Sequence, residues 1–219
     1  MEYYAIARSI NPRTLPLSES IQGIFRHSYG GADDPADDTD ITATARNHQF
    51  ELWLAAWLTA GGKRIRQAEP DLELAYRFEW RGVAAKRVRS RRHIRKRVRN
   101  AAEQVKRNTG TGFVAISLDN FSTVRAIKAR SDLAAGKKFF NCYPEIHGAA
   151  RYLQEKETHI RGLLCFGHYA RWSGHRHSSK LHLSNLSQIY LFPSDLTDIE
   201  YLSSYFEEQG EQFKRAMRT

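Results

Sequence analysis

Cysteine is scarce in this chain: among 219 residues only Cys142 and Cys165 carry a thiol. Two thiols cannot build the disulfide framework of a small secreted domain. They read as core residues of a protein kept in a reducing, cytoplasmic compartment. Long apolar runs are lacking as well. No stretch approaches the roughly 20 residues needed to span a bilayer, and Met1-Glu2-Tyr3-Tyr4 lacks the basic-then-apolar order of a signal peptide. A membrane partner is therefore not expected. Negative charge is in short supply: 24 Asp and Glu stand against 34 Lys and Arg, for a formal net charge of +10. That imbalance favours a polyanionic partner. Nucleic acid is preferred to a lipid surface, because no segment pairs a basic face with a broad apolar one.

What is present is 41% hydrophobic residues, enough to build the core of one large domain or of one domain with extensions. Residues 1–45 read as an irregular N-terminal extension, punctuated by Pro12, Pro16, Gly30, Gly31 and Pro35. Within it Asp33, Asp34, Asp37, Asp38 and Asp40 form an acidic loop. An α/β core is expected over 46–192, and a helix over 193–219 packed against it. Phe50, Trp53, Leu54, Trp57 and Leu58 recur at helical spacing and predict a helix over 46–60, stopped by Gly61-Gly62. Glu51 falls at the edge of its apolar stripe.

Residues 71–78 and 82–88 read as two strands joined by a turn near Trp80-Arg81-Gly82. A helix is expected over 90–108, with Ser90 as N-cap, Ile94, Val98, Ala101, Ala102 and Val105 as its buried stripe, and Gly110 and Gly112 ending it. The apolar run 113–119 suits a buried central strand. Further helices are expected over 122–134 and 145–156, and strands over 160–170 and 186–192. Thr197-Asp198-Ile199-Glu200 reads as a capping box opening the last helix. This order predicts a mixed central β-sheet flanked by helices.

Taken in chain order, Glu51 on a helix, Glu69-Pro70-Asp71, a hairpin, Val83-Ala84-Ala85-Lys86-Arg87 and a very basic helix resemble the PD-(D/E)XK nuclease superfamily, the restriction-endonuclease-like fold. The resemblance spans residues 46–120 and departs from the motif at one place: Ala84 stands where the second acidic residue belongs. It implies a metal-dependent nuclease using Mg²⁺ or Mn²⁺ to hydrolyse phosphodiester bonds, DNA being favoured, in a restriction, phage-defence, mobile-element or repair setting. It implies a catalytic set of Glu51, Asp71, the residue at Ala84 and Lys86, with the metal on Asp71, on position 84 and on the Ala85 carbonyl. With alanine at 84, natural or introduced, the chain is expected to bind nucleic acid and to cleave poorly or not at all. A catalytic domain of this size is expected to work as a homo-oligomer or within a larger assembly.

The chemistry suits these residue types. Mg²⁺ takes oxygen ligands and commonly only one or two protein carboxylates. It activates water and neutralises charge at phosphorus. Alternation along a strand puts residues 84 and 86 on one face and Val83 and Ala85 on the other. Lys86 would orient the attacking water or stabilise the phosphorane. Glu73 and Glu79 share the parity of Asp71 and are the candidates for a displaced second acid, Glu73 being the nearer.

Lys86, Arg87, Arg89, Arg91, Arg92, Arg95, Lys96, Arg97 and Arg99 crowd one short segment. Like charges three or four residues apart repel, so such a segment is best stabilised by phosphates. Arg87, Arg89, Arg92, Lys96 and Arg99 are the expected contacts to nucleic acid. His168, His175, His177 and His182, with Arg171, Trp172, Arg176 and Lys180, read as a basic loop rather than a zinc site, since the run 168–182 holds no cysteine. Two rivals stand beside the nuclease: a non-catalytic nucleic-acid-binding module on a decayed nuclease fold, and a basic scaffold that binds protein.

Overall fold

The computed structural model describes residues 40–60, 63–118, 140–141, 143–173, 180–195 and 198–206, with backbone alone for 40–46, 60, 168–173 and 180–186. The expected helix over 122–134, Cys142, the His175-Arg176-His177 run and the acidic loop before Asp40 lie outside those residues.

Helix α1 spans Asp40–Ala60 and so begins earlier than the apolar periodicity indicates. Its second half is not an amphipathic surface helix. Leu52, Trp53, Leu54, Ala55, Ala56, Trp57 and Leu58 are all buried in succession, the mark of a helix enclosed on every side. Trp53 and Trp57 meet Phe166 edge-on, with ring centroids at 4.8 and 5.1 Å.

The strands are β1 (Ile65–Ala68), β2 (Asp71–Tyr76), β3 (Glu79–Arg87), β4 (Gly112–Ser117), β5 (Ile160–Ser173) and β6 (Lys180–Leu191). They form a 6-stranded sheet in chain order. The pairs β3–β4 and β4–β5 are parallel, and the remaining neighbours are antiparallel. Parallel neighbours need crossovers, and helices α2 (Ile94–Asn108) and α3 (Pro144–Lys156) lie in them. Strand β4 is buried at every position, as a central strand covered on both faces must be.

The sheet separates two cores. Leu72, Leu74, Val83, Ala85, Phe113 and Phe166 pack with α1 on one side. Ala84, Val114, Ile116 and Cys165 pack with Ile94, Val98 and Val105 of α2 and with Ile146 and Leu153 of α3 on the other. The mixed sheet flanked by helices agrees with the sequence reading.

Several boundaries differ, each for a physical reason. The hairpin turns at Arg77-Phe78, with Tyr76 paired to Glu79, rather than at Trp80-Arg81-Gly82. Gly82 sits inside β3 for another purpose. A Cβ at 82 would land on the Thr109 side chain, and a Cβ on its strand partner Gly112 would land on the Gly82 carbonyl. Gly112 therefore opens β4 instead of closing α2; the helix ends at Thr109 and Gly110, the latter at φ +74°. Strand β1 is an edge strand that the sequence reading lacked. The segment after Ser90 begins as a 3₁₀ turn, Arg91–His93, and Ser90 makes no side-chain cap. The last helical segment, 198–206, is capped by Asp195, whose Oδ1 accepts the Asp198 N–H at 2.8 Å. Thr197, the expected cap, lies outside the described residues. Leu202, Tyr205 and Phe206 bury that segment in the α1-side core.

Candidate functional site

Asp71 is the first residue of β2, linked to β1 by Glu69-Pro70 alone. Pairing of β2 with β3 begins one residue later, at Leu72↔Val83. The Ala85 N–H therefore finds the Asp71 carboxylate where a ladder carbonyl would otherwise stand, and Oδ2 accepts it at 2.7 Å. Lys86 donates to the same oxygen, Nζ at 3.1 Å. The carboxylate and ammonium expected to meet on the hairpin do meet.

Glu51 reaches this pair from α1. Burial pushes its carboxyl above the ordinary range, and repulsion from Asp71 adds to that; the neighbouring His48 and Lys86 work against it. Burial likewise holds Asp71 above its ordinary value, against the attraction of Lys86 and the Ala85 hydrogen bond. Sequence reasoning missed His48. Its Nδ1 lies 3.1 Å from Glu51 Oε2, and the signal was its position one helical turn before Glu51. Side-chain exposures of 14% for Glu51, 16% for Asp71 and 20% for Lys86 leave a narrow opening to solvent. Two shielded acids held above their ordinary range, Glu51 raised further by Asp71 and Asp71 by Glu69, beside an ammonium, are an arrangement that can handle an ion or a proton.

Position 84 behaves differently. Ala84 is 0% exposed and lies in the apolar cluster beneath α2, with Val88, Ile94 and Val98. Ala85, 6% exposed, belongs to the opposite core. Both faces of β3 are covered here, so Ala84 borders packed side chains rather than open space. The candidates for a displaced acid are engaged elsewhere. Glu73 is held by Arg66 across β1–β2. Glu79 pairs with Arg81 at the turn end of the hairpin, at 2.6 Å. Among the described residues no group of three His, Cys, Asp or Glu side chains is placed to hold a metal ion.

The basic segment starts where β3 ends, next to Lys86. Arg87 is half-buried and Arg89 exposed. Arg92 lies in the 3₁₀ turn and Lys96 in α2, both exposed. Arg99 is exposed and faces Glu103 at 3.5 Å. Arg91 and Arg95 lie over the rings of Tyr143 and Tyr152, at 4.7 and 5.4 Å. The apolar stripe of α2 is the expected one, which leaves its charges outward. The histidine-rich segment is not simply a loop: Arg171 pairs with His182 and Trp172 with Leu181 in the β5–β6 ladder.

No family model, no curated protein and no solved structure matches this chain.

Proposed function

We propose that this chain carries the hydrolytic centre of a PD-(D/E)XK nuclease lacking its second acid, and that it binds nucleic acid, DNA by preference, along the basic segment that leaves the centre. The observation that carries this reading is the meeting of Asp71 with Lys86 and the Ala85 N–H at the open end of the β2–β3 hairpin. The order of elements supports it: a helix bearing Glu51, the strands, the basic helix and the apolar strand follow one another as the resemblance requires.

A metal fits this donor set only in part. Asp71 Oδ2 is occupied by two donors, so Asp71 would offer Oδ1, with Glu51 as a second carboxylate. A regular strand turns a residue's carbonyl to the same side as its N–H, which would add Ala85. One or two carboxylates suffice for Mg²⁺ when substrate phosphate and water complete its shell. When bound, such an ion would activate water and neutralise the phosphate. Lys86 would hold one oxygen of the scissile phosphate, Glu51 would accept a proton from water, and the basic segment would hold the flanking backbone.

The second reading, a non-catalytic nucleic-acid-binding module, draws on the burial of Ala84. A glutamate there would have to displace apolar neighbours under α2, and overpacking costs about 1–3 kcal/mol. One experiment separates the two. Ala84→Glu is made, its folding checked by circular dichroism, and Mg²⁺-dependent cleavage of duplex DNA, single-stranded DNA and RNA is assayed. Metal-dependent cleavage by the variant supports the nuclease. A folded, DNA-binding variant that cleaves nothing supports the binding module.

A further inference from the structure

At the far end of the hairpin from Asp71 lies a cavity of about 200 Å³, lined by Arg77, Phe78, Arg81, Arg161 and Asp198 among others. Strands rise about 3.3 Å per residue, so the length of β2 puts this cavity at roughly 15–20 Å from the carboxylate–lysine pair. It is a separate place on the molecule.

Four features set it apart from an ordinary turn. Arg77 holds φ +55°, a left-handed backbone that glycine or asparagine adopts at far lower cost. Phe78, beside it, is 102% exposed. Stability alone would select neither residue at a hairpin tip. Arg81 is fixed by Thr111 and Glu79, yet its Nε is buried with no hydrogen-bond acceptor. Arg161 has no carboxylate at ion-pair distance among the described residues.

Two carboxylates, Glu79 and Asp198, face three guanidinium groups in the lining, so the cavity keeps an excess of positive charge. Asp198 already accepts the Tyr76 hydroxyl at 2.5 Å and the Ser194 N–H at 3.1 Å, pairs loosely with Arg77 at 3.8 Å and attracts Arg161. Glu79 serves Arg81. Guanidinium groups converging on one concavity suit a multidentate oxyanion such as phosphate, whose oxygens accept paired N–H donors. The size agrees: drug-sized ligands need about 300 Å³ or more, so the cavity takes a phosphate and not a whole nucleotide. An exposed aromatic ring at the rim is what a nucleobase would stack on.

We propose that this pocket binds the terminal phosphate of a nucleotide, with the attached base resting on Phe78. The ligand is a free mononucleotide or the phosphorylated end of a strand; both present the same chemistry. The site does not depend on the hydrolytic reading, since it shares no residue with Glu51, Asp71, Lys86 or the α2 charges.

Calorimetric titration of the full chain tests it, with inorganic phosphate, a nucleoside, its 5′-monophosphate, and an oligonucleotide with and without a 5′-phosphate. The monophosphate is expected to bind more tightly than either phosphate or nucleoside. Arg77→Gly is the decisive variant, because glycine suits the backbone at φ +55° and the fold should be kept. It should weaken phosphate and monophosphate binding about tenfold, the scale of a charge-assisted hydrogen bond. Phe78→Ser should leave inorganic phosphate unchanged and weaken the monophosphate several-fold. A stronger response to the 5′-phosphorylated strand than to its hydroxyl form identifies a strand end as ligand; equal strand binding with a retained monophosphate response identifies the free nucleotide. Absence of saturable monophosphate binding, or wild-type affinity in both Arg77→Gly and Arg161→Gln, overturns the proposal. An Arg92→Glu/Lys96→Glu variant should bind the monophosphate as the parent does, so failure of the basic segment to hold DNA would not be mistaken for failure here.

Discussion

Lys86 and Asp71 meet at a single carboxylate oxygen, with Nζ 3.1 Å from Oδ2. The ammonium lowers the cost of keeping Asp71 ionised while shielded from water. Lys86→Met removes that compensation and leaves a buried carboxylate with only the Ala85 N–H. The expected loss is about 2 kcal/mol at neutral pH, measured by urea denaturation. Lys86 attracts the ionised form of Asp71, so the loss should shrink as acid protonates the carboxyl. A penalty that stays constant from pH 4 to pH 8 would count against a direct electrostatic role.

Glu51 gives the second prediction. Burial and Asp71 raise its pKa above the ordinary 4.5. In the window between 4.5 and the raised value, the folded chain binds more protons than the unfolded chain. Stability from this group is therefore full below 4.5 and is lost as pH rises through the folded value. Glu51→Gln should remove that slope and make the protein more heat-stable than the parent at pH 7, with little difference at pH 4.5. Melting curves across that range check it; a variant less stable at neutral pH would show that Glu51 is held by favourable contacts instead.

Arg92 and Lys96 are exposed on the 3₁₀ turn and α2, and neither forms an ion pair with a described residue. Reversing both to glutamate should leave the melting temperature nearly unchanged, as surface substitutions usually do. DNA affinity should fall across all sequences alike, and the slope of log affinity against log salt should become shallower by roughly 2, about one per lost phosphate contact. Fluorescence anisotropy at several salt concentrations reads both. An unchanged salt slope would move the nucleic-acid path off this segment.

Gly112→Ala tests the close approach of β3 and β4. The new methyl would fall on the Gly82 carbonyl, and backbone at the centre of the sheet has little room to yield. Destabilisation on the order of 3 kcal/mol is expected. Gly148, on α3 with open space around its Cβ position, supplies the contrast: Gly148→Ala should stabilise by up to about 1 kcal/mol.

Much of the framework was legible because it follows from periodicity. The Ile94–Val98–Ala101–Val105 stripe names the buried side of α2, and the apolar run 113–119 the central strand. The Asp71–Lys86 encounter was legible because parity and hairpin order constrain it. Other features depend on partners distant in sequence. Gly82 resembles a turn residue locally, and only the close approach of Thr109 explains it. Strand β1, Ile-Arg-Gln-Ala, has no pattern of its own and exists by pairing with β2. The burial of Ala84 follows from α2 covering that face of β3, whereas a sheet open on one side would have left position 84 facing solvent. Burial of α1 on all sides likewise requires the segment at 198–206, which encloses it together with the sheet.

The brevity of the Glu69-Pro70 link has an evolutionary corollary. With Ala68 paired to Asp71 across it, the connection contains no slack in which an insertion could be absorbed. One added residue would either bulge β1 or shift β2 by a step, and a step reverses which way every side chain of that strand points. Asp71 would then turn toward the α1-side core and Leu72 would take its place. Insertions and deletions should therefore be excluded from this corner of the chain more strictly than substitutions at most neighbouring positions.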